Sequence, residues 1–419
     1  MPGFRARLIS SGEELLLGHT TDTNAAWLAR EISGLGGTVE GIQTVGDRQG
    51  DIEDAIRQAA SDADCVIMTG GLGPTDDDRT RHALAAVLGD ALVEDPESWL
   101  AIQRRFEALA RPCSGVNRVQ ALIPASARAL SNPRGTAPGM EALVGPCRFF
   151  ALPGVPSEMR GMWADHVAPA LERYGARGMA ITRLLRVCGL GESVVGERIR
   201  EWMRPGGIVQ AGTTVADMVV TVRLFAKAPD PGAARQALDA AAAEIRGLLA
   251  PHVFGEGDCT LADAIVDQLA RRGQTVALAE SCTGGLLSDA IVSVPGASRV
   301  FREGVVAYAD SVKTSRLGVD ADLLHRHGAV SREVAMAMAS GLRVRSGADW
   351  ALATTGVAGP GGGTPNKPVG LVWVALAGPT GADAREWHFA DDRAANRRRA
   401  VIAALNMLRR ALESPEGPF

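Results

Sequence analysis

The sequence lacks three features that would place it in a special class of protein. Its 6 cysteines are scattered and no two form a CxxC pair, so neither a zinc site nor a disulfide framework is expected. No apolar run approaches the roughly 20 residues that cross a bilayer, and residues 1–10 lack the long apolar region of a signal peptide. We therefore expect a cytoplasmic protein with no membrane partner.

The chain also lacks an excess of positive charge. A formal net charge of −4 argues against a nucleic-acid-binding surface spread over the whole molecule, although a local basic patch stays open. Hydrophobic residues make up 46% of the 419 residues, which is enough to build real cores. This length exceeds one ordinary core, so two or three domains are expected.

The first part of the chain alternates strand and helix patterns. Apolar runs and helical spacing predict strand, helix, strand, helix and strand in turn, at residues 4–9, 24–32, 38–45, 51–60 and 65–68. This order predicts an α/β domain built on a doubly wound parallel sheet.

Acidic and glycine-rich segments follow each of those strands. They read GEE at 12–14, GD at 46–47 and GGLGPTDDD at 70–78. Because the carboxyl ends of parallel strands line one crevice, several segments deliver carboxylates to the same rim. Carboxylates beside glycine-rich loops suit a divalent metal held near phosphates. The alternative is that Asp and Thr cap a helix at each turn.

The middle of the chain predicts a small α+β module without a catalytic constellation. Strands are expected at 183–187 and 218–224, a turn at 229–232 and a helix at 233–249. A third unit begins near Leu261. Its predicted elements are helices ending at 271 and spanning 284–292, 331–344 and 394–412, with strands at 275–278, 304–308, 350–353, 369–376 and 386–389.

Ser281 lies in the turn AESCTGG at 279–285, between an apolar strand and a helix. A serine there is exposed at the strand tip and close to helix N–H groups that can stabilise an oxyanion or a phosphate. The alternative is that Ser281 and Thr283 merely cap the helix.

A serine nucleophile needs a base. Lys313 follows the strand at 304–308, so its amine could reach the adjacent strand tip, and a partly desolvated lysine can act as general base. A solvated surface lysine is the alternative. The glycine-rich loop at 354–363 and the arginine pair Arg393 and Arg397 suit a phosphate group, unless the pair is a solvated helix face.

These segments in this order resemble the nicotinamide-nucleotide amidase domain of CinA proteins. The similarity covers about residues 261–412 and includes AESCTGG, Tyr308 with Lys313, TGVAGP at 355–360 and KPVG at 367–370. The resemblance implies Ser281 as nucleophile and Lys313 as its base. It also implies catalytic roles for Tyr308 and Thr355. It further implies substrate-binding roles for Thr283, Gly284, Gly356, Gly359, Arg393 and Arg397.

The implied reaction is hydrolysis of the carboxamide of nicotinamide mononucleotide to nicotinic acid mononucleotide and ammonia, without a metal or an organic cofactor. One departure matters. Relatives often have Tyr-Ser-Asn before the lysine, whereas this chain has Tyr308, Ala309 and Asp310. A carboxylate close to Lys313 favours the charged amine and weakens a base that must be neutral.

The first part of the chain resembles the molybdopterin-binding-like domain of CinA proteins. Asn117 with Gln120, APG at 137–139 and LPGVPSE at 152–158 extend the similarity to about residue 165. In some relatives this domain hydrolyses ADP-ribose with a divalent metal. The resemblance implies a metal and pyrophosphate site of Asp47, Asp77, Asp78 and Glu158, and substrate contacts from Asn24, Gly71, Gly73, Thr75 and Gly154. Binding without hydrolysis is the alternative.

We thus expect three domains at residues 1–168, 169–256 and 257–419, the middle one similar to the KH-like insert of long CinA proteins. The resemblance implies a homodimer that acts on nicotinamide mononucleotide and ADP-ribose in pyridine-nucleotide salvage. Nucleic acid is not expected as a partner. The alternative is a nucleotide-binding or competence-associated protein with one or both sites inactive.

Overall fold

The computed structural model describes residues 4–175, 180–227 and 231–413. The chain folds into two compact units, Met1–Thr182 with Phe225–Ala240, and Arg183–Leu224 with Ala241–Phe419. Each is described by itself below.

Strands and helices alternate at the start of the first unit, as the sequence predicts. The elements are β1 (Arg5–Ser11), α1 (Glu13–Leu16), α2 (Thr23–Gly34), β2 (Thr38–Val45), α3 (Gln49–Asp62), β3 (Cys65–Thr69), α4 (Thr80–Leu88), β4 (Leu92–Glu94) and α5 (Pro96–Ala108). They continue with β5 (Leu122–Pro124), β6 (Arg128–Leu130), β7 (Gly139–Val144), β8 (Cys147–Leu152), α6 (Pro156–Met162) and α7 (Ala168–Gly175).

The main sheet of this unit has the order β2-β1-β3-β8-β7-β6. The first four strands are parallel, which confirms the expected α/β sheet, whereas β7 and β6 join it antiparallel. Strand β3 is buried along its whole length because helices cover both faces.

Neighbouring residues of β1 pack into different layers, because successive strand side chains point to opposite faces. Leu8 belongs to the cluster that holds Leu28 of α2. Ile9 belongs to the other cluster, with Ile56 of α3 and Leu84 of α4. This three-layer packing leaves the carboxyl ends of β1, β2, β3 and β8 along one edge of the sheet.

The middle module is α+β, as expected. Its elements are β9 (Ala180–Cys188), α8 (Glu192–Arg198), α9 (Arg200–Met203), β10 (Val209–Ala216), β11 (Val219–Lys227), α10 (Pro231–Leu249) and β12 (Val253–Glu256). The sheet order is β10-β11-β9-β12. The turn predicted at 229–232 lies partly outside the described residues.

The C-terminal part of the second unit is a third α/β layer structure. Its elements are α11 (Leu261–Arg272), β13 (Val276–Glu280), α12 (Leu286–Val292), β14 (Phe301–Val306), α13 (Asp310–Leu317), α14 (Ala321–His327), α15 (Arg332–Ser346), β15 (Trp350–Gly356), β16 (Leu371–Gly378), β17 (Gly381–His388) and α16 (Arg393–Glu413). The sheet order is β14-β13-β15-β16-β17, with β14, β13 and β15 parallel and the last two strands antiparallel.

Two apolar layers cover this sheet. Helices α11, α12 and α16 pack on one face around residues such as Leu278, and α15 packs on the other face around Ala277 and Ala279. Helix α11 begins at a capping box, in which the Thr260 hydroxyl accepts from the Asp263 amide and the Asp263 carboxylate accepts from the Thr260 amide. The parallel strands therefore end together, beside the turn that holds Ser281.

Candidate functional sites

The Ser281 turn is fixed to the strands on both sides of β13. The Ser281 amide donates to the Thr354 carbonyl at 2.9 Å, and the Ala307 amide donates to the Glu280 carbonyl at 2.7 Å. The ladder pairs Glu280 with Val306 of β14 and with Thr354 of β15. Ser281 therefore lies at the centre of three adjacent strand ends.

Glu280 is completely buried, and both its carboxylate oxygens are occupied. One oxygen accepts from the Gly285 and Leu287 amides at 2.9 and 3.0 Å. The other accepts from the Ser288 amide and hydroxyl at 2.8 and 2.6 Å. The carboxylate of the preceding strand therefore occupies these three helix N–H groups, so they do not face an oxyanion.

Lys313 is buried with 1% of its surface exposed, so it is not the solvated lysine of the alternative interpretation. Its amine donates to the Tyr308 carbonyl at 3.0 Å and to the Asp310 carboxylate at 3.2 Å. Tyr308 directly follows Ala307, which is bonded to Glu280, so the amine lies at the strand end beside the Ser281 turn. Within the described residues, the amine forms no hydrogen bond with the Ser281 hydroxyl.

Two threonines of β15 stabilise the surroundings of the turn. The hydroxyls of Thr354 and Thr283 are hydrogen-bonded to each other at 2.7 Å, and both side chains are buried. The Thr355 hydroxyl donates to the Ala329 carbonyl at 2.7 Å. Thr355 thus holds the segment before α15 against the strand end.

Both predicted arginines of α16 reach this region. Arg397 donates from two nitrogens to the Thr283 carbonyl, at 2.7 and 3.3 Å, and a Cβ on Gly284 would lie 3.3 Å from its guanidinium. Arg393 donates to the Gly359 carbonyl at 2.8 Å and to the Tyr308 hydroxyl at 3.4 Å. Each arginine therefore ties α16 to a different predicted segment.

Gly356 is needed because a Cβ there would lie 2.6 Å from the Leu371 carbonyl oxygen. All ten residues predicted for the amidase site thus lie in or directly beside the ends of β13, β14 and β15 or on the first turns of α16. Glu280 is the residue that the sequence reasoning missed. Its signal is an acid at the end of an otherwise apolar strand.

The first unit holds a cleft of about 430 Å³ at the carboxyl ends of its parallel strands. The predicted residues in its lining are Asp47, Gly71, Gly73, Asp77, Asp78, Gly154 and Glu158. Asn24 supports the wall by donating to the Gly154 carbonyl at 2.7 Å. The Thr75 amide and hydroxyl donate to Asp78 at 2.9 and 2.5 Å.

Three of the four predicted metal carboxylates also hold the protein's own loops. Asp78 accepts from the Gly73 amide at 2.7 Å as well as from Thr75. Asp47 accepts from the Glu13 amide at 3.0 Å, and Glu158 accepts from the Asn132 side chain at 2.7 Å. Asp77 is exposed, and the hydrogen bond from the Thr75 side chain lowers the pKa of its carboxyl.

The charge of the cleft lining bears on whether a cation fits. Five carboxylates line it, those of Glu14, Asp47, Asp77, Asp78 and Glu158, and no lysine or arginine of the described chain does. Among residues 4–175, 180–227 and 231–413, no three His, Cys, Asp or Glu side chains are placed to hold a metal ion together. The lining fits a magnesium-like cation, which one or two carboxylates and the ligand's phosphates can hold.

Three residues at this cleft were not predicted as site residues. Gln120 and Thr136 line it and are joined by a hydrogen bond of 3.2 Å. Arg81 lies behind its glycine-rich loop, bonded to the carbonyls of Leu72 and Gly73. A basic residue at the start of α4, three positions after the acidic run, is the sequence signal for Arg81.

No helix in the described part of the chain has the length and apolar character needed to cross a membrane.

Comparison with known proteins gives a family match for each of the three parts of the chain. Residues 258–412 match the CinA C-terminal domain, residues 7–173 a probable molybdopterin binding domain and residues 182–255 the damage-inducible protein CinA KH domain. The architecture is therefore that of a molybdopterin-binding-like domain, a KH-like module and a CinA C-terminal domain in succession.

The chain is 42% identical over 415 residues to a CinA-like protein of Prochlorococcus marinus (strain MIT 9313), covering 97% of this chain and 95% of the relative. It is 42% identical over 413 residues to a CinA-like protein of Geobacter metallireducens, covering 98% and 100%. The crystal structure of competence/damage inducible protein CihA from Agrobacterium tumefaciens is 42% identical, with 37% of this chain and 94% of that chain covered and a TM-score of 0.36. This chain belongs to the CinA family.

Proposed function

We propose that the C-terminal domain hydrolyses the carboxamide of nicotinamide mononucleotide. The Ser281 hydroxyl attacks the amide carbon, and neutral Lys313 takes the hydroxyl proton. Collapse of the tetrahedral adduct breaks the C–N bond, and the proton on Lys313 passes to the departing ammonia. Water then hydrolyses the acyl-enzyme to nicotinic acid mononucleotide and restores Ser281.

The observation that carries this proposal is the buried amine of Lys313 at the strand end beside the Ser281 turn. Its contact with the Tyr308 carbonyl at 3.0 Å fixes the amine next to β13. With 1% of its surface exposed, the amine is held at this strand end and does not extend into solvent. A lysine whose only role was solubility would not be buried there.

The phosphate of the nucleotide has a candidate partner on α16. Arg393 and Arg397 each keep nitrogens that their bonds to Gly359, Tyr308 and Thr283 do not use. Guanidinium groups held in this way suit a phosphate monoester.

The test is ammonia release from nicotinamide mononucleotide by the purified full chain, comparing wild type with Ser281→Ala. Ser293→Ala, an exposed serine at the end of α12, is the matched control. We expect Ser281→Ala to abolish ammonia release while calorimetry still detects nucleotide binding, and the control to keep full activity. A Ser281→Ala variant with wild-type activity would refute the nucleophile.

A second candidate function has one observation in its favour. The Asp310 carboxylate lies 3.2 Å from the Lys313 amine and accepts a hydrogen bond from it, so the amine is bonded to an acid and not to Ser281. The C-terminal site would then bind a nucleotide without turnover. Wild-type protein that binds nicotinamide mononucleotide and releases no ammonia would favour this function.

We further propose that the N-terminal domain hydrolyses ADP-ribose to AMP and ribose 5-phosphate with a divalent cation. The supporting observation is that five carboxylates line the N-terminal cleft, and that no basic side chain of the described residues lines it. A pyrophosphate would be repelled by this lining unless a cation offsets the charge. Asp77, whose carboxylate is exposed, and Asp47 are the residues we propose to hold that cation.

This second activity is tested by measuring AMP formation with added magnesium and with excess chelator. Asp77→Asn is compared with Asp76→Asn, because Asp76 is equally exposed and does not line the cleft. We expect activity only with the metal, a large loss in Asp77→Asn and little change in the control. Activity that persists in chelator would refute the metal requirement.

A further inference from the structure

The turn between β10 and β11 of the middle module has a strained backbone. Its two central residues, Asp217 and Met218, have φ angles of +42° and +68°. Hairpin turns with positive φ at both central residues favour glycine at the second position, because a larger side chain is strained there. Met218 therefore occupies a position that the hairpin alone would fill better with glycine, and its role lies outside the hairpin.

The Met218 side chain packs against the C-terminal domain. It contacts the apolar cluster that holds Val401 and Leu405 of α16, the helix that carries Arg393 and Arg397. Strained residues persist where the surrounding structure holds them in place. Partial burial of this side chain against the C-terminal domain thus offsets the strain of the turn.

The other central residue of the turn contacts the same helix. The Asp217 carboxylate accepts from Arg398 Nε at 2.9 Å. Arg398 follows Arg397 in the sequence, so the two side chains leave the helix about 100° apart. Arg398 reaches the hairpin, and Arg397 donates to the Thr283 carbonyl beside Ser281. One turn of α16 therefore connects the middle module to the Ser281 turn.

The far end of α16 is also fixed to the middle module. Arg409 is completely buried and donates to the Pro251 carbonyl at 3.0 Å, and Arg410 donates to the same carbonyl at 3.1 Å. Between Arg398 and Arg409 the helix advances about 16 Å. The middle module thus holds α16 at two places, and the hairpin holds the end that carries the two site arginines.

We propose that the β10–β11 turn positions Arg397 and thereby sets the affinity of the C-terminal site for the phosphate of its nucleotide. Asp217 and Met218 are positioning residues: they act through α16 and do not touch the ligand. The middle module is then a functional part of the amidase. This inference rests on the proposed nucleotide chemistry of the C-terminal domain and adds the element that controls its phosphate contact.

The test uses two substitutions in the turn. Met218→Gly suits the backbone of the turn and removes the side chain that packs on the C-terminal domain. Asp217→Asn keeps a residue that tolerates positive φ and removes the charge. Val215→Ala is the control, because Val215 lies on the same hairpin and is 54% exposed.

KM and kcat for nicotinamide mononucleotide are measured in the full chain. We expect KM to rise about tenfold in Met218→Gly and about threefold in Asp217→Asn, whose ion pair is partly exposed. Because only binding is weakened, kcat should stay within about twofold of wild type. The control should change neither constant. An unchanged KM in Met218→Gly, or a fall in kcat alone, would overturn the proposal.

A double-mutant cycle tests the contact with α16. Arg398→Gln should raise KM as much as Asp217→Asn does, and the double variant should be no weaker than either single variant, because all three remove the same contact. Effects that add in the double variant would mean that Asp217 and Arg398 act separately, and would overturn the assigned route.

A measurement without substrate separates this inference from the proposed activity. Hydrogen–deuterium exchange of residues 282–288 should be faster in Met218→Gly than in wild type, because the Ser281 turn loses support from Arg397. Asp217→Asn provides the same comparison if Met218→Gly does not fold. Faster exchange in a protein that releases no ammonia would refute only the amidase activity. Ammonia release with equal exchange in wild type and variant would refute only the positioning role.

Discussion

Replacing Glu280 with Gln is the sharpest test of how the Ser281 turn is built. The carboxylate accepts four hydrogen bonds, two at each oxygen, from Gly285, Leu287 and Ser288. A glutamine side chain has the same shape but only one oxygen. Its NH2 group would face two donors whichever way the amide is turned; on the Ser288 side the hydroxyl can turn to accept, so at least one buried backbone amide loses its acceptor.

The expected cost follows from the chemistry of those bonds. Hydrogen bonds to a charged group contribute roughly 1.5–3 kcal/mol each, and the buried amide left unpaired brings the loss to about 3 kcal/mol. For a domain of this size each kcal/mol corresponds to about 2–4 °C, so Glu280→Gln should lower the melting temperature of the C-terminal domain by roughly 6–12 °C. Displacement of Ser281 should also slow ammonia release by about tenfold or more.

Scanning calorimetry of the full chain measures the first effect, and the ammonia assay measures the second at a temperature where the variant is folded. Glu244→Gln, on the exposed side of α10, is the matched control and should change neither. Melting of Glu280→Gln within about 1 °C of wild type would refute the reasoning, because it would mean that the buried bonds contribute little. Normal activity in a destabilised variant would refute the link to Ser281.

Three other perturbations have defined outcomes. Asp310→Asn should raise kcat/KM for nicotinamide mononucleotide at neutral pH by about threefold, the modest size expected of a pair whose acid is solvent-exposed; a slower variant would mean that the carboxylate positions Lys313 for reaction. Thr260→Ala removes the N-cap of α11 and should lower the free energy of unfolding by about 1 kcal/mol in urea titration; unchanged stability would contradict the capping box. Burial raises the pKa of the Cys282 thiol to about 12, so thiolate is absent at pH 8 and iodoacetamide should not label it in folded protein. Mass spectrometry would detect labelling, with the half-buried Cys113 as reference, and rapid modification of Cys282 would contradict its burial.

Sequence patterns located the elements that carry long apolar periodicity. The strand predicted at 65–68 is Cys65–Thr69 in the structure, and the helix predicted at 331–344 is Arg332–Ser346. The hairpin of β7 and β8 was not predicted, because the surrounding glycines and prolines read as loop. Strand β8 is specified by pairing with distant residues of β3, and β7 by pairing with β8, which local periodicity does not report.

In the candidate sites, too, the residues marked by a local sequence pattern could be predicted, and those defined by contacts with distant residues could not. Ser281 could be singled out because a polar turn follows an apolar strand, and Lys313 because it follows the neighbouring one. The role of Glu280 could not be predicted from the sequence, because its hydrogen-bond partners come together only when the turn is folded. The sequence raised the possibility that Asp310 lies close to Lys313, and the structure shows an ion pair between these two side chains.

The arginines of α16 have a consequence for how the protein is made. Arg397 binds the carbonyl of Thr283, a residue synthesised 114 positions earlier, and Asn396 donates to the Ala358 carbonyl from the same helix turn. During translation, the Ser281 turn therefore cannot form its hydrogen bond to Arg397 until α16 has left the ribosome, and α16 is the last of the described elements to do so. A nascent chain can fold its N-terminal cleft long before the amidase site acquires its last supports. Ribosome stalling within α16 would thus delay the proposed amidase activity relative to the proposed N-terminal activity. Premature termination there would leave a chain that has only the N-terminal activity.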